Sequence, residues 1–325
     1  MRTAVLLTGA LRTIKKTIRF LKRNVLAVAG DIVDVYACLQ NDTTQSTEEW
    51  RAWFEQEIGG YLRDMVWYSP ADAQEWTALR ERLLSSIPID DSWKSYLRNS
   101  GSMIEYYQLY LAYLRMRAGE CTVHSGRMYD YVIRARTDSI FAKPVDFHWL
   151  HWTVEDVVDR MQRVATALGR PVEDPSVFQL FMSTLWSDDV LVNAKEIMAD
   201  NQPPPKPVIW VHPAEILEYV QRGAYLLTLR RNNLYVIRRS LFSLLPASLG
   251  LMYGTFRTPH SDDYWFNAEG QFRGVCYEAG LAVYDYSTVF EEKSLEYAHA
   301  WQEDLFFNAD GELRRSDMLY CVVRK

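Results

Sequence analysis

Residues 3–8, TAVLLT, form an unbroken apolar run that stops at Gly9, and a strand without polar alternation must be buried on both faces. Such a strand needs helices above and below it, and the next segments supply them. Thr13–Ala27 places Ile14, Ile18, Leu21 and Val25 at helical spacing, with basic residues on the opposite face. Ile32–Leu39, IVDVYACL, is a second strand rich in β-branched residues. Residues 47–57 predict a helix, Met65–Tyr68 a short strand, and Ala71–Ser86 a helix broken before Pro88. Ser102–Ala118 is a long apolar-rich helix expected to end near Gly119. The following run, YDYVIRA at 129–135, is again a buried strand, and it enters the polar turn RTDS.

Strand–helix–strand alternation over about 140 residues implies a parallel, doubly wound α/β sheet. Ligands of such sheets bind at the carboxyl ends of the strands. That rule places Thr8–Arg12, Gln40–Asp42 and Arg136–Ser139 on one edge.

Beyond Lys143 the pattern loosens. Val154–Leu168 predicts a helix, Leu185–Ala194 a strand interrupted at Ser187-Asp188-Asp189, and Lys195–Asn201 a short helix. Gln202–Pro207, QPPPKP, predicts an extended connector. Ile209–Val211 reads as a strand, Pro213–Arg222 as a helix, and Leu226–Arg238 as a strand pair around Asn232-Asn233. The tail mixes short strands with a helix near 291–304. Its two similar strings, FNAEGQFR at 266–273 and FNADGELR at 307–314, read as hairpin turns around Gly. The expected division is a catalytic unit at 1–245 and a C-terminal α+β extension at 246–325 packed on it.

A net charge of −6 argues against a nucleic-acid partner. The sign is uneven, however: Arg2, Arg12, Lys15, Lys16, Arg19, Lys22 and Arg23 precede the first acid, Asp31. This basic region could meet phosphates or act as a targeting peptide. The first apolar run is too short for a membrane span and lacks a cleavage pattern, and no later run reaches about 18 apolar residues. Cys38, Cys121, Cys276 and Cys321 lie far apart without a CxxC pair, which fits reduced thiols and a cytoplasmic location. The 11 Trp, 20 Tyr and 13 Phe could floor a sugar site, although filling the core is the ordinary use of each.

Asp138 is the sharpest chemical signal, an acid on the turn that finishes a buried strand. A hard oxygen there suits Mg²⁺ or Mn²⁺. The alternative is that Arg134 or Arg136 pairs with Asp138 as a strand-end salt bridge. The local string is Arg136-Thr137-Asp138, so a guanidinium stands where an Asp-x-Asp pair would have its first carboxylate.

YDYVIRARTDSIF resembles the YD-x-apolar-apolar-R-x-R-x-D signature of GT-A-like glycosyltransferases of large DNA viruses and microbial polysaccharide gene clusters. AVLLTGALRT is similar to that family's first strand and Gly-x-x-Arg turn, and SMIEYYQLYLAYLRM to the helix before its metal strand. SDDVLVNAKEIM and HPAEILEYV resemble two later blocks, so the likeness spans about residues 3–220.

The resemblance implies a GT-A-like fold and sugar transfer from a UDP- or GDP-sugar to a glycan or other hydroxyl acceptor, assisted by Mn²⁺ or Mg²⁺. Thr8, Gly9 and Arg12 would face the nucleotide, and Arg136, with Arg134 beside it, the diphosphate. Asp138 would hold the metal, with His212 as a possible further ligand. Otherwise His212, before a Pro, is a hydrogen-bonded turn residue. Asp188 or Asp189 would be the general base if the reaction inverts the anomeric centre; the other reading of that pair is a solvated turn. Glu215 at a helix start is favoured by backbone N–H groups in any case. His260, Asp262 and Asp263 form a further acidic and aromatic cluster that the resemblance does not reach.

Two rivals stand beside this. A sugar nucleotidyltransferase would need more glycines than GALRTIKK offers at 9–16. A non-catalytic carbohydrate-binding protein on the same fold would tolerate Arg136. No GxSxG, P-loop, HExxH or GxGxxG motif occurs.

Overall fold

The computed structural model describes residues 1–85, 102–141, 152–184, 212–222, 225–229, 234–242, 282–285 and 320–322, with a few single positions between them. The strands are β1 (Arg2–Ala10), β2 (Ile32–Gln40), β3 (Leu62–Trp67), β4 (Tyr131–Arg136), β5 (Ser139–Phe141), β6 (Tyr225–Leu229), β7 (Leu234–Arg238), β8 (Ala282–Asp285) and β9 (Tyr320–Val322). The helices are α1 (Ile14–Leu21), α2 (Thr47–Ile58), α3 (Pro70–Ser85), α4 (Ser102–Thr122), α5 (Val154–Leu168), α6 (Pro175–Thr184) and α7 (Pro213–Arg222).

Among the described residues, seven strands form one sheet in the order β3-β2-β1-β4-β7-β6-β8. Neighbours are parallel except at β7, which runs against both β4 and β6. The chain is therefore an α/β protein with a doubly wound and mostly parallel sheet. The strand pair expected around Asn232-Asn233 is the β6–β7 hairpin. Two short strands come from the region expected as an extension: β8 forms the far edge of the main sheet, and β9 pairs with β5 in a small antiparallel sheet.

Residue parity along the strands divides the core in two. Val5, Leu7, Val35, Ala37, Leu39 and Ile133 face a layer holding α1, α2, α5 and α6. Ala4, Leu6, Tyr36, Cys38 and Val132 face α3 and α4. This is the both-sides burial that the apolar strands demand. Helix starts are fixed locally. Ser46 and Glu49 form a reciprocal capping box at α2, and Thr153 and Asp156 another at α5. Gly169 closes α5 in the left-handed conformation at φ 65°.

A buried polar network holds the amino edge of the sheet. The fully buried Asp34 of β2 accepts from Arg63, from Tyr129 Oη at 2.7 Å, and meets His124 Nε2 at 2.7 Å. Tyr36 and Tyr129 share a hydroxyl–hydroxyl bond of 2.8 Å. Burial, then the bonds to Tyr36 and Asp34, push the Tyr129 phenol far above its ordinary pKa, so it stays a donor. Beside this network, Glu120 at the end of α4 takes Arg239 in a two-pronged pair at 2.7 Å per prong.

Cys38 is buried under α3 and α4, and burial pushes its thiol up to about 12, whereas Cys121 is exposed. Iodoacetamide at pH 8 is expected to modify Cys121 in the native protein and Cys38 only after denaturation. Peptide mass spectrometry reads both, and native labelling of Cys38 at the rate of Cys121 would show that this face is open. Among the described residues, no helix is long and apolar enough to cross a membrane.

Candidate functional site

The chain leaves β1 toward β2 on one side, whereas β4 lies on its other side, so the strand order reverses between β1 and β4. At such a switch point the carboxyl ends diverge and leave a crevice. Thr8 is level with Arg136, and Ala10 with Gln40, so the three turns expected on one edge do meet there.

Hydrogen bonds lock these turns together. Thr137 N–H donates to the Thr8 carbonyl at 3.0 Å, and Thr137 Oγ1 to the Ala10 carbonyl at 2.6 Å. Thr17 Oγ1 on α1 reaches the Thr137 carbonyl at 2.6 Å. From the β2 side, Asp42 Oδ1 accepts from Leu11 N–H at 3.0 Å. Gly9 has φ +129°, and a Cβ there would lie 2.5 Å from Thr137 Oγ1. The close approach that Gly9 permits is thus to the Arg136–Asp138 turn. Arg12 is exposed on the turn after β1, and Thr8 is buried.

Parity places Arg134 and Arg136 on the α4 side of β4. Glu105, in the first turn of α4, meets them both: its Oε2 accepts from Arg136 Nη1 at 2.9 Å and from Arg134 Nη2 at 3.3 Å. Arg134 is fully buried and stacks over Tyr106 at 4.9 Å from the ring centre. Arg136 also grips Asp138 with two prongs, Nε to Oδ1 at 2.8 Å and Nη2 to Oδ2 at 2.7 Å. The strand-end salt bridge open as an alternative in the sequence is therefore present. Glu105 escaped sequence reasoning, although one signal existed: it is the single acid in the otherwise apolar and basic stretch SMIEYYQLYLAYLRMRA.

His212 is exposed at the start of α7, where its Nδ1 accepts from Ala214 N–H at 3.2 Å and its own N–H meets Glu215 Oε2 at 3.3 Å. That is a helix-capping arrangement. Asp188, Asp189, His260, Asp262 and Asp263 lie outside the described residues, as do the elements expected at 185–211 and 291–304. Both oxygens of Asp138 are held by a guanidinium, and among the described residues no group of three His, Cys, Asp or Glu side chains could hold a metal ion. The described side chains, as placed, do not fit a Mn²⁺ or Mg²⁺ site.

No family model matches the sequence, and no curated protein matches it. Among solved structures, the chain is similar to the galactosyltransferase LgtC, crystallised in complex with donor and acceptor sugar analogs. The match is 11% identical over 82% of this chain and 83% of that one, with a TM-score of 0.22. Agreement at that level carries no argument.

Proposed function

We propose that this chain is a glycosyltransferase that moves a sugar from a nucleoside-diphosphate sugar to a glycan or other hydroxyl acceptor. One observation carries this most: the Gly9–Arg12 and Arg136–Asp138 turns are bonded to each other where the strand order reverses. A nucleotide lying across that crevice would place its diphosphate between Arg12 on one turn and Arg136 on the other, with the buried Arg134 adding positive charge behind it. Resemblance of YDYVIRARTDSIF to a glycosyltransferase signature supports the same donor class, UDP or GDP.

In transfer, the acceptor oxygen attacks the anomeric carbon and the bond from that carbon to the diphosphate oxygen breaks. The nucleoside diphosphate leaves with the electron pair. The hydroxyl proton passes to a carboxylate, for which Asp188 or Asp189 is the candidate if the configuration inverts. No step runs through a divalent ion, because the described residues do not form its cage. A cytoplasmic location, with a soluble or peripheral acceptor, belongs to the same proposal.

A screen of UDP- and GDP-sugars for slow hydrolysis tests the proposal, since transferases leak donor to water. Release of nucleoside diphosphate from one donor is the expected result. Pyrophosphate made from a sugar phosphate and a nucleoside triphosphate would instead identify a nucleotidyltransferase. Nucleotide binding with no turnover on any donor would favour the non-catalytic alternative.

A further inference from the structure

The Arg136 guanidinium lies between two carboxylates, joined to Asp138 by two hydrogen bonds and to Glu105 by a third. Arg134 supplies a second cation on Glu105. Among the described residues, two carboxylates and two guanidinia balance in this cluster. A pair of carboxylates around one divalent ion reaches the same balance with a cation that can dissociate. Here the cation is covalently part of β4 and stays charged at every physiological pH. A divalent ion entering at Asp138 would have to displace a two-pronged pair and then sit beside two arginines.

We infer that this site receives the donor's diphosphate on guanidinium charge and needs no bound divalent ion, with Arg136 as the built-in cation and Glu105 as its positioning residue. The inference rests on the proposed donor class. Asp138 is then a placeholder: it occupies the Arg136 fork until the diphosphate, another oxyanion able to take two prongs, exchanges for it. Glu105 keeps Arg136 aimed during that exchange, and Tyr106 under Arg134 keeps the second cation in place.

The two metal states differ in the sign of a measurable effect. If Asp138 were a metal ligand, its loss would weaken nucleotide binding; as a competitor for Arg136, its loss leaves binding equal or tighter. The experiment measures binding of UDP and GDP to the full chain by calorimetry and by the shift in melting midpoint, in EDTA and in Mn²⁺. Wild-type affinity is expected to agree within about threefold between the two conditions. Asp138→Asn is expected to bind as tightly or more tightly in Mn²⁺ as well as in EDTA, and Arg136→Gln at least tenfold more weakly in both. Unliganded melting midpoints and circular dichroism check that each variant folds, while the wild-type comparison needs no variant.

Binding at least tenfold tighter in Mn²⁺ than in EDTA would overturn the inference and leave the transferase proposal standing. A tenfold loss on Asp138→Asn with a native fold would do the same. No binding of UDP, GDP or their sugars in either condition would remove the donor class itself, and the inference with it.

Discussion

Asp34→Ala is expected to destabilise the protein by about 3 kcal/mol, because it removes the acceptor common to three donors at the amino edge. The effect divides unequally among them. Arg63 is 40% exposed, so its guanidinium turns to water at little cost. His124 and Tyr129 are nearly enclosed, and each loses a bond of 2.7 Å with little room for solvent to replace it. Tyr36 and Tyr129 keep each other, which limits the total. Asp34→Asn retains an acceptor of the same shape and is expected to cost about half as much. Urea unfolding followed by circular dichroism gives the comparison, provided the slope is unchanged. A shift below about 1 kcal/mol for Asp34→Ala would mean that water already serves these donors.

That network was invisible in the sequence for a physical reason. Its members come from β2, β3, the turn after α4 and the approach to β4, and no local spacing connects Asp34 to a tyrosine 95 residues away. Elements whose signal is local fared better. The unbroken apolar runs of β1, β2 and β4 and the helical spacing of α1, α2 and α5 are each found where expected, because burial on both faces leaves a pattern within one segment. The helix α6 and the three-residue strand β5 were not anticipated. Strands of three or four residues such as β5, β8 and β9 carry too few positions for a period, and their pairing is decided by distant partners. In the candidate site, the meeting of the three turns followed from strand ends alone. Glu105 did not, because its two arginines lie 29 and 31 residues further on.

Gly119 shows a local signal with a nonlocal cause. The sequence suggests that α4 ends there, yet the helix continues to Thr122. A helix-interior glycine normally invites replacement, since alanine is better by about 1 kcal/mol. At this position a Cβ would stand 2.0 Å from Tyr36 Oη, 2.7 Å from Cζ and 2.9 Å from Cε1. The ring cannot retreat freely, because it is buried and bonded to Tyr129. Displacing it costs packing of about 1–3 kcal/mol and endangers a buried hydrogen bond worth a similar amount. Packing outweighs propensity, and Gly119→Ala is expected to destabilise by about 2–4 kcal/mol. Gly60→Ala, in the turn after α2 where a Cβ meets nothing within 4 Å, is the steric control and should be near neutral. The decisive measurement is a double-mutant cycle in urea: in a Tyr36→Leu background, Gly119→Ala should turn neutral or stabilising by up to about 1 kcal/mol. Equal destabilisation in both backgrounds would show that the helix itself, rather than the tyrosine crossing beneath it, requires glycine.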